Sequence, residues 1–343
     1  MTIKAKLRND TARLLFLSGL THPQQRAQGR LSIVTFHRVL PAAEREAYPY
    51  PGLVVTPEEL GDLLTYFTRH FDCGTLATQQ ERYLGDGGSN CSLLAITFDD
   101  GQYDNLLHAR PVLAHFGVQA SFFVPVTAVE SQTPLWHDRL GFAVLGLSRQ
   151  GDDGVKRLQG ILAAAGLSGH GTGSLVDNVA QESKGLELEA RLRLVDAIAE
   201  ASGNDRIPKF ARMMSFGELA ELASDGHEIG SHSMTHCLMP ECDDQALEYE
   251  VAESRRLLQT KLGRPIESFC YPNGNSDARS AAAVAKAGYR RAVTTTWGLN
   301  DGTADRFRLR RCDMDAGRMC DANGKLMPAV LAFRMSGLYP GLK

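Results

Sequence analysis

The sequence predicts an α/β protein in which parallel strands alternate with helices along the chain. Short apolar and β-branched runs are followed by segments with helical spacing, and this alternation returns several times between residues 31 and 296. At 343 residues, with 43% apolar and 22% charged residues, the chain has ample material for a buried core. The composition excludes an intrinsically disordered, collagen-like or coiled-coil protein.

The first strand and helix are marked by clear local signals. Residues 31–37 read LSIVTFH, which is β-branched and short enough for a buried strand. Thr56, Pro57 and Glu59 then supply an N-cap, a first-turn proline and a capping-box acid to a helix. The next predicted elements are a strand at 93–98, a helix at 106–116 and a strand at 120–126.

The alternation stops after residue 126 and resumes at residue 213, so residues 127–212 are predicted to be a helical insertion. Residues 1–30 form a predicted N-terminal helical extension, and 31–126 with 213–343 form the main domain. The later predicted elements are a helix opened by Ser215 and Glu218, a strand at 227–233, a helix at 245–262, a strand at 267–272, a helix at 278–287 and a strand at 290–296.

Charge and cysteine usage restrict the partners and the location. The 37 basic and 40 acidic residues give a net charge of −3, which argues against a nucleic-acid partner. The seven cysteines are scattered, with no Cys-x-x-Cys pair, and this favours free thiols in a reducing compartment. The sequence therefore predicts a cytoplasmic protein, with the periplasm and a membrane surface as alternatives.

The N-terminal segment has an apolar cluster from Leu14 to Leu17 behind several basic residues. This cluster is too short to span a bilayer. It predicts a short amphipathic helix that packs on the domain, and the alternative is a helix in peripheral contact with a membrane surface.

The first candidate catalytic residues are two adjacent carboxylates, Asp99 and Asp100, which end the predicted strand 93–98 and precede Gly101. The carboxyl ends of parallel strands are where α/β folds place catalytic side chains. A simple turn would also explain an Asp-Asp-Gly sequence. A second group of residues is therefore needed to favour a site.

His232 and His236 supply that second group, because they follow another predicted strand at i, i+4 spacing. Two imidazoles at this spacing can bind one metal ion, and an aspartate completes a three-ligand site with an open position for water. If Asp100 is the ligand, Asp99 is left as a base beside that water.

These residues resemble the polysaccharide deacetylases of the NodB-homology type, carbohydrate esterase family 4. TFDDG at 97–101 is similar to the first motif of the family, and SHSMTH at 231–236 is similar to the second. The resemblance covers residues 31–126 and 213–311 and leaves the insertion outside. It implies an incomplete (β/α)7 barrel of the NodB-homology type, carrying the helical insertion.

The third motif departs from the commonest family pattern, because the chain reads Cys-Tyr-Pro-Asn-Gly at 270–274 without the usual arginine. Together with Phe-His-Arg-Val at 36–39, it resembles the subgroup that de-N-acetylates biofilm exopolysaccharides such as poly-β-1,6-N-acetylglucosamine. By this resemblance His37 is the general acid and Asn273 supplies an oxyanion N–H. Arg311 orients the catalytic carboxylate, with Arg310 as a competing candidate.

The resemblance implies a hydrolase of carbon–nitrogen bonds that releases acetate from a glycan containing N-acetylglucosamine. Asp99 would be the base, and Asp100, His232 and His236 would hold Zn²⁺ or another divalent transition metal. The alternatives are an O-acetyl esterase, a peptidoglycan or chitin deacetylase, and a non-catalytic carbohydrate-binding or assembly protein. Aromatic rings suit sugar faces. The candidates for this contact are Tyr271, Trp136 and Trp297.

Overall fold

The computed structural model describes residues 3–85, 91–203, 207–321 and 324–339. The chain divides into two compact units. The first unit comprises Met1–Leu40, Gly52–Ser131 and Met214–Lys343, and the second comprises Pro41–Pro51 and Gln132–Met213.

The first unit contains a closed barrel of seven parallel strands, which confirms the fold that the family resemblance implies. The ring closes because the strand Leu31–Phe36 pairs with both Leu93–Phe98 and Leu309–Asp313. The strands in chain order are β1 Leu31–Phe36, β2 Leu93–Phe98, β3 Ser121–Val124, β4 Glu228–Ser231, β5 Ser268–Cys270, β6 Arg291–Trp297 and β7 Leu309–Asp313.

Four strands of the first unit were not predicted from the sequence. Strand β7 reads LRRCD and was missed because a buried arginine interrupts its apolar pattern. The strand Asp72–Gly74 was also missed. It pairs with the beginning of β2, whereas β3 pairs with the end of β2. Arg38–Val39 and Val54–Val55 form a separate two-residue parallel pair.

Helices follow most strands of the barrel. Both predicted capping boxes are present, at Thr56 with Glu59 and at Ser215 with Glu218. The helices of the first unit are Ile3–Leu17, Pro23–Arg26, Pro57–His70, Leu76–Gly85, Asn105–Ala109 continuing into Arg110–Phe116, Val126–Ser131, Phe216–Ser224, Asp244–Glu248 continuing through Tyr249–Glu253 and Ser254–Leu262, Ala278–Lys286, Ala316–Met319 and Pro328–Met335. Short helical turns lie at Pro51–Leu53, Met239–Glu241 and Pro272–Gly274. In the described part of the chain, every helix is too short or too polar to span a bilayer.

Strand alternation sorts the barrel residues into two layers. One set packs against the outer helices in a large apolar cluster that includes Val34, Ile96 and Phe122. The other set forms a smaller cluster inside the barrel with Ile33 and Ala95. Continuing two residues at a time along β2, this inner face passes from apolar residues to Thr97 and then to Asp99, so it delivers a carboxylate at the carboxyl end.

The second unit is helical and has its own apolar core, which includes Leu140, Val144, Val195 and Ile198. Its helices are Ala42–Ala47, Trp136–Ser148, Gly151–Ala164, Leu175–Ser183 and Leu188–Ser202, with a short turn at Lys209–Ala211.

The segment 41–51 was assigned from the sequence to the main domain, whereas the structure groups it with the second unit. Tyr48 explains the difference, since its hydroxyl donates to the buried Asp138 carboxylate at 2.6 Å. The Tyr50 hydroxyl also donates to the His137 carbonyl oxygen at 2.9 Å.

Candidate active site

Asp99 is a buried carboxylate held by a buried arginine. The Arg311 guanidinium donates from Nη1 to Oδ1 at 2.8 Å and from Nη2 to Oδ2 at 2.7 Å. The same guanidinium donates to Thr35 Oγ1 and Thr97 Oγ1 within the barrel. Such a two-point contact fixes the plane of the carboxylate as well as its charge.

The electrostatics of Asp99 favour its ionised form. Burial acts to raise the pKa of this carboxyl, but the charge and hydrogen bonds of Arg311 outweigh burial and lower the pKa to about 2. The structure also resolves the choice between two neighbouring arginines, because Arg310 is exposed and Arg311 makes the contact.

Asp100, His232 and His236 bring three potential metal-ligand atoms within 4.8 Å of one another. The Nε2 atoms of His232 and His236 lie 3.5 and 3.4 Å from Asp100 Oδ1. Two imidazoles and one carboxylate form a donor set that suits Zn²⁺ and related divalent transition metals. The residues that the sequence predicted as ligands thus lie together, in a geometry that fits such an ion.

A second group, Asp99, His232 and Cys270, also brings three potential ligand atoms within 4.8 Å. This group is the poorer metal site, because Arg311 already occupies both oxygens of Asp99. Burial raises the pKa of the Cys270 thiol, so its sulfur stays protonated. Metal ions bind the thiolate rather than the thiol.

The orientation of His232 is set by the backbone of β5. Its Nδ1 lies 2.7 Å from the Cys270 carbonyl oxygen, a contact that requires a proton on Nδ1 and leaves Nε2 as the ligand atom. Burial lowers the pKa of His232, but its contacts with Cys270 and Asp100 outweigh burial and raise the pKa well above its usual value.

The loop that carries both histidines has a strained backbone. Ser233 and His236 have positive φ values of 68° and 61°, in a region that non-glycine residues seldom occupy. The Ser233 hydroxyl accepts a hydrogen bond from the His236 backbone N–H at 2.9 Å.

Glu250 holds this loop from the neighbouring helix. One carboxylate oxygen accepts from the backbone N–H groups of Met234 and Thr235, each at 2.9 Å. The other accepts from the Thr235 hydroxyl at 2.6 Å. The sequence analysis missed this residue, because nothing distinguishes one glutamate of an amphipathic helix from its neighbours before the loop is placed.

His37 leaves β1 beside the point where Asp99 leaves β2. Phe36 and Phe98 are paired in register, and the Asp99 backbone N–H donates to the Phe36 carbonyl oxygen at 2.9 Å. His37 is half-buried at this end of the barrel. The structure therefore brings the predicted general acid to the same end of the barrel.

The backbone around His37 is fixed by the two residues Asp104 and Asn105, which the sequence analysis also missed. The Asn105 side-chain amide donates to the His37 carbonyl oxygen at 2.9 Å. Asp104 accepts from the Val39 backbone N–H at 2.9 Å and pairs with the fully buried Arg38 at 2.7 Å. Their position shortly after the TFDDG motif was the available signal.

Asn273 lies in the short turn after β5, at the carboxyl end of the barrel. It is exposed and has a φ of 55°. The next residue must be glycine, since Gly274 has a φ of 75° and a Cβ there would overlap the side chain and backbone of Thr295. The role predicted for the Asn273 N–H stays a prediction.

Tyr271 is not available as a sugar platform, and this prediction is corrected. The residue is 0% exposed, its ring packs on Phe269, and its hydroxyl donates to the Phe307 carbonyl oxygen at 2.9 Å. Like Phe269, the Tyr271 ring lies in the apolar layer between the barrel and the outer helices.

The two tryptophans have different surroundings. Trp297 is half-buried, with the Arg334 guanidinium 4.5 Å from its ring centroid and Tyr339 packed beside it, so it does not offer an open face. Trp136 begins a helix of the second unit, where the Arg191 guanidinium lies 5.0 Å from its ring centroid. Its predicted contact with a sugar stays a prediction.

Comparison with known sequences indicates one family. A sequence profile described as polysaccharide deacetylase matches residues 205–292, which include His232 and His236. The protein YxkH of Bacillus subtilis (strain 168), named as a polysaccharide deacetylase, is 26% identical over 113 residues. This match covers 33% of the chain and only 40% of the length of YxkH.

Comparison with solved structures gives the same fold at low sequence identity. The Streptococcus pyogenes deacetylase PplD, solved with acetate, has a TM-score of 0.59 and 14% identity over 89% of this chain and 98% of its own. IcaB of Ammonifex degensii has a TM-score of 0.50 and 18% identity over 82% and 90%. The BpsB deacetylase domain of Bordetella bronchiseptica has a TM-score of 0.51 and 16% identity over 83% and 96%.

Proposed function

We infer that this chain, which is a member of the polysaccharide deacetylase family, hydrolyses N-acetyl groups of a glycan containing N-acetylglucosamine and releases acetate. The observation that carries this proposal is the buried cluster of Asp100, His232 and His236 beside a separate carboxylate, Asp99, that an arginine holds ionised. A binding protein would not need a base next to three metal ligands.

The proposed cofactor is Zn²⁺ or another divalent transition metal, held by Asp100, His232 and His236. When bound, such an ion lowers the pKa of a water molecule and polarises the carbonyl group of the substrate. The Cys270 carbonyl fixes the ring of His232, and Glu250 fixes the loop between the two histidines. Both contacts prearrange the ligand atoms, as groups around a metal site usually do.

Asp99 is the proposed general base. Because Arg311 keeps it ionised, it can accept the proton of the attacking water throughout the neutral pH range. Arg311 also prevents the carboxylate from rotating, since both oxygens are bonded. Asp99 therefore stays directed at the same point while the proton moves.

His37 is the proposed general acid, which donates a proton to the departing sugar amine. It lies at the end of β1 next to Asp99, and Asn105 holds its carbonyl oxygen. The Asn273 N–H is the proposed donor to the oxyanion that forms on the acetyl group. The acid and the base leave adjacent strands, which suits successive proton transfers at one amide bond.

The test is the release of free amine from β-1,4- and β-1,6-linked N-acetylglucosamine oligomers by the protein loaded with zinc. Asp99→Asn and His232→Ala should abolish turnover. His170→Ala, at an exposed histidine of the second unit, should not change it. The linkage that reacts identifies the class of polymer.

Other outcomes separate the remaining candidates. Zinc binding at one ion per chain with hydrolysis only of O-acetyl esters would contradict the N-deacetylase and support an esterase. Reaction with peptidoglycan or chitin alone would keep the proposed deacetylation reaction and identify a different polymer as the substrate. Absence of both zinc binding and turnover would support a non-catalytic carbohydrate-binding protein. The cytoplasmic location stays a prediction.

A further inference from the structure

The N-terminal helix, Ile3–Leu17, exposes leucines to solvent. The leucine face consists of Leu7, Leu14, Leu17 and the following Leu20, which are 68%, 69%, 73% and 55% exposed. Spacings of seven and three residues place the first three on one side of a helix. Four large apolar side chains in one segment form a patch of the kind that marks an interaction surface.

The opposite side of this helix is anchored to the barrel unit. Ala12 is 0% exposed, and the helix packs along Pro328–Met335 near the C-terminus. The Asn9 side chain lies 3.5 Å from Met327 Sδ. Arg26, beyond the helix, donates to the Ser336 carbonyl oxygen at 2.9 Å. The leucine face is therefore not the side that the fold uses for its own packing.

The charge of this segment is opposite to that of the whole chain. Residues 3–17 contain Lys4, Lys6, Arg8 and Arg13 and a single acid, Asp10, whereas the chain carries a net charge of −3. Arg13 is exposed like the leucines. Apolar residues bordered by cations bind the surface of an anionic bilayer, because the chains insert between headgroups while the cations contact lipid phosphates.

We propose that the leucine face docks the protein on an anionic membrane surface. The sequence left two alternatives open for this segment, a helix packed on the domain and a helix on a membrane. The structure allows both at once, since one side packs on the barrel unit and the other carries the exposed leucines. Docking concerns a different part of the molecule from the proposed catalytic residues and does not depend on their activity.

The experiment is co-sedimentation of the full chain with vesicles of phosphatidylcholine alone or with 30% phosphatidylglycerol, without any glycan. We expect binding to the anionic vesicles that weakens as salt rises. Leu14→Ser with Leu17→Ser should lower the partition coefficient about tenfold or more, because two apolar side chains no longer enter the bilayer. The matched control is Leu84→Ser, at a leucine of another helix that is 68% exposed.

Because the substituted leucines are exposed, circular dichroism and thermal melting should be unchanged in all variants, so a loss of binding reports on the surface. Equal sedimentation with and without anionic vesicles would overturn the proposal. Unchanged binding of the double variant would overturn it as well. A dimer in light scattering that the double variant dissociates, without vesicle binding, would assign the face to a second copy of the chain.

Discussion

Two arginines on neighbouring barrel strands are almost completely buried, and they lie at opposite ends of the barrel. Arg291 is the first residue of β6 and is 2% exposed. Arg311 lies in β7, is 1% exposed, and reaches the carboxyl end. Both pair with carboxylates, so the same chemistry can be compared at the two ends of one barrel.

The amino-end arginine is shared among many groups. It donates to Gln80 at 2.7 Å and to Glu81 at 3.2 Å, and lies within 4 Å of Glu228 and Glu267. The Glu81 and Glu267 side chains are 53% and 32% exposed, so water screens their charges. This network joins strand beginnings to a helix, and its role is structural.

The carboxyl-end arginine serves one carboxylate, and that carboxylate adjoins the three potential metal ligands. Both ends of the barrel have a buried arginine paired with carboxylates. The difference is that only the pair at the carboxyl end lies beside potential metal ligands. In (β/α) barrels the carboxyl end holds the catalytic side chains, while the amino end supports stability. Four substitutions, each with a comparison variant, test whether this division holds here.

The largest effect is expected for Asp99→Asn. An amide cannot accept the proton of the attacking water, so kcat should fall about 10³- to 10⁴-fold while zinc remains bound. Steady-state kinetics with metal analysis measure both. At the other end, Glu228→Gln should lower the melting temperature and leave kcat of the folded protein unchanged. If Glu228→Gln lost as much kcat as Asp99→Asn, the proposed division between a catalytic carboxyl end and a structural amino end would be wrong.

The next effect is expected for Arg311→Lys, which loses the two-point contact with Asp99. We expect kcat/KM to fall about 100-fold, because the carboxylate is no longer held in position. As the proposed base, Asp99 must be ionised, so activity is expected above its pKa and should be lost below it. Since Arg311 lowers that pKa, the substitution should move the acid limb of the pH profile upward.

The matched control is Arg310→Lys, one residue away on the exposed side of β7. It should alter neither kcat/KM nor the acid limb. An acid limb that stays in place in Arg311→Lys would show that Asp99 is not the group that titrates.

A smaller effect is expected for Glu250→Gln, which acts on the metal ligands through their loop. The two Glu250 oxygens accept from the backbone N–H groups of Met234 and Thr235 and from the Thr235 hydroxyl, and the amide retains only one of these acceptors. Because the loop is then held less firmly, zinc affinity should fall about 10- to 100-fold. Competition with a chromophoric chelator measures it. Glu253→Gln, on the same helix but paired with the exposed Arg256, should leave zinc affinity unchanged.

The smallest effect is expected for Arg291→Met. Its neighbouring acids are partly exposed, so loss of the guanidinium should lower the free energy of unfolding by about 1–3 kcal/mol. Urea unfolding measures this change, and kcat of the folded fraction should be that of the wild type. Arg290→Met, at a residue that is 59% exposed, should change the free energy by less than about 0.5 kcal/mol.

Local patterns were enough for most strands and for the four central residues of the site. Apolar runs located β1, β2 and β3, and capping boxes located two helices. Asp99 and Asp100 are adjacent in the chain, and His232 and His236 lie in one loop, so each pair needs only local structure. Glu250 and Asp104 could not be predicted, because their role lies in contacts with loops distant in sequence.

The sequence by itself determined the alternation of strands and helices and the residue types of the candidate metal site, because short-range spacing sets both. The tertiary structure decided which arginine serves Asp99. Successive residues of a strand point to opposite faces, so Arg311 enters the barrel while Arg310 faces solvent. Closure of the barrel then places Arg311 on Asp99, 212 residues away in the chain. The tertiary structure also decided the position of Tyr271. Its side chain is buried on the face that packs against the outer helices, and only the packing around β5 determines which residues occupy that face.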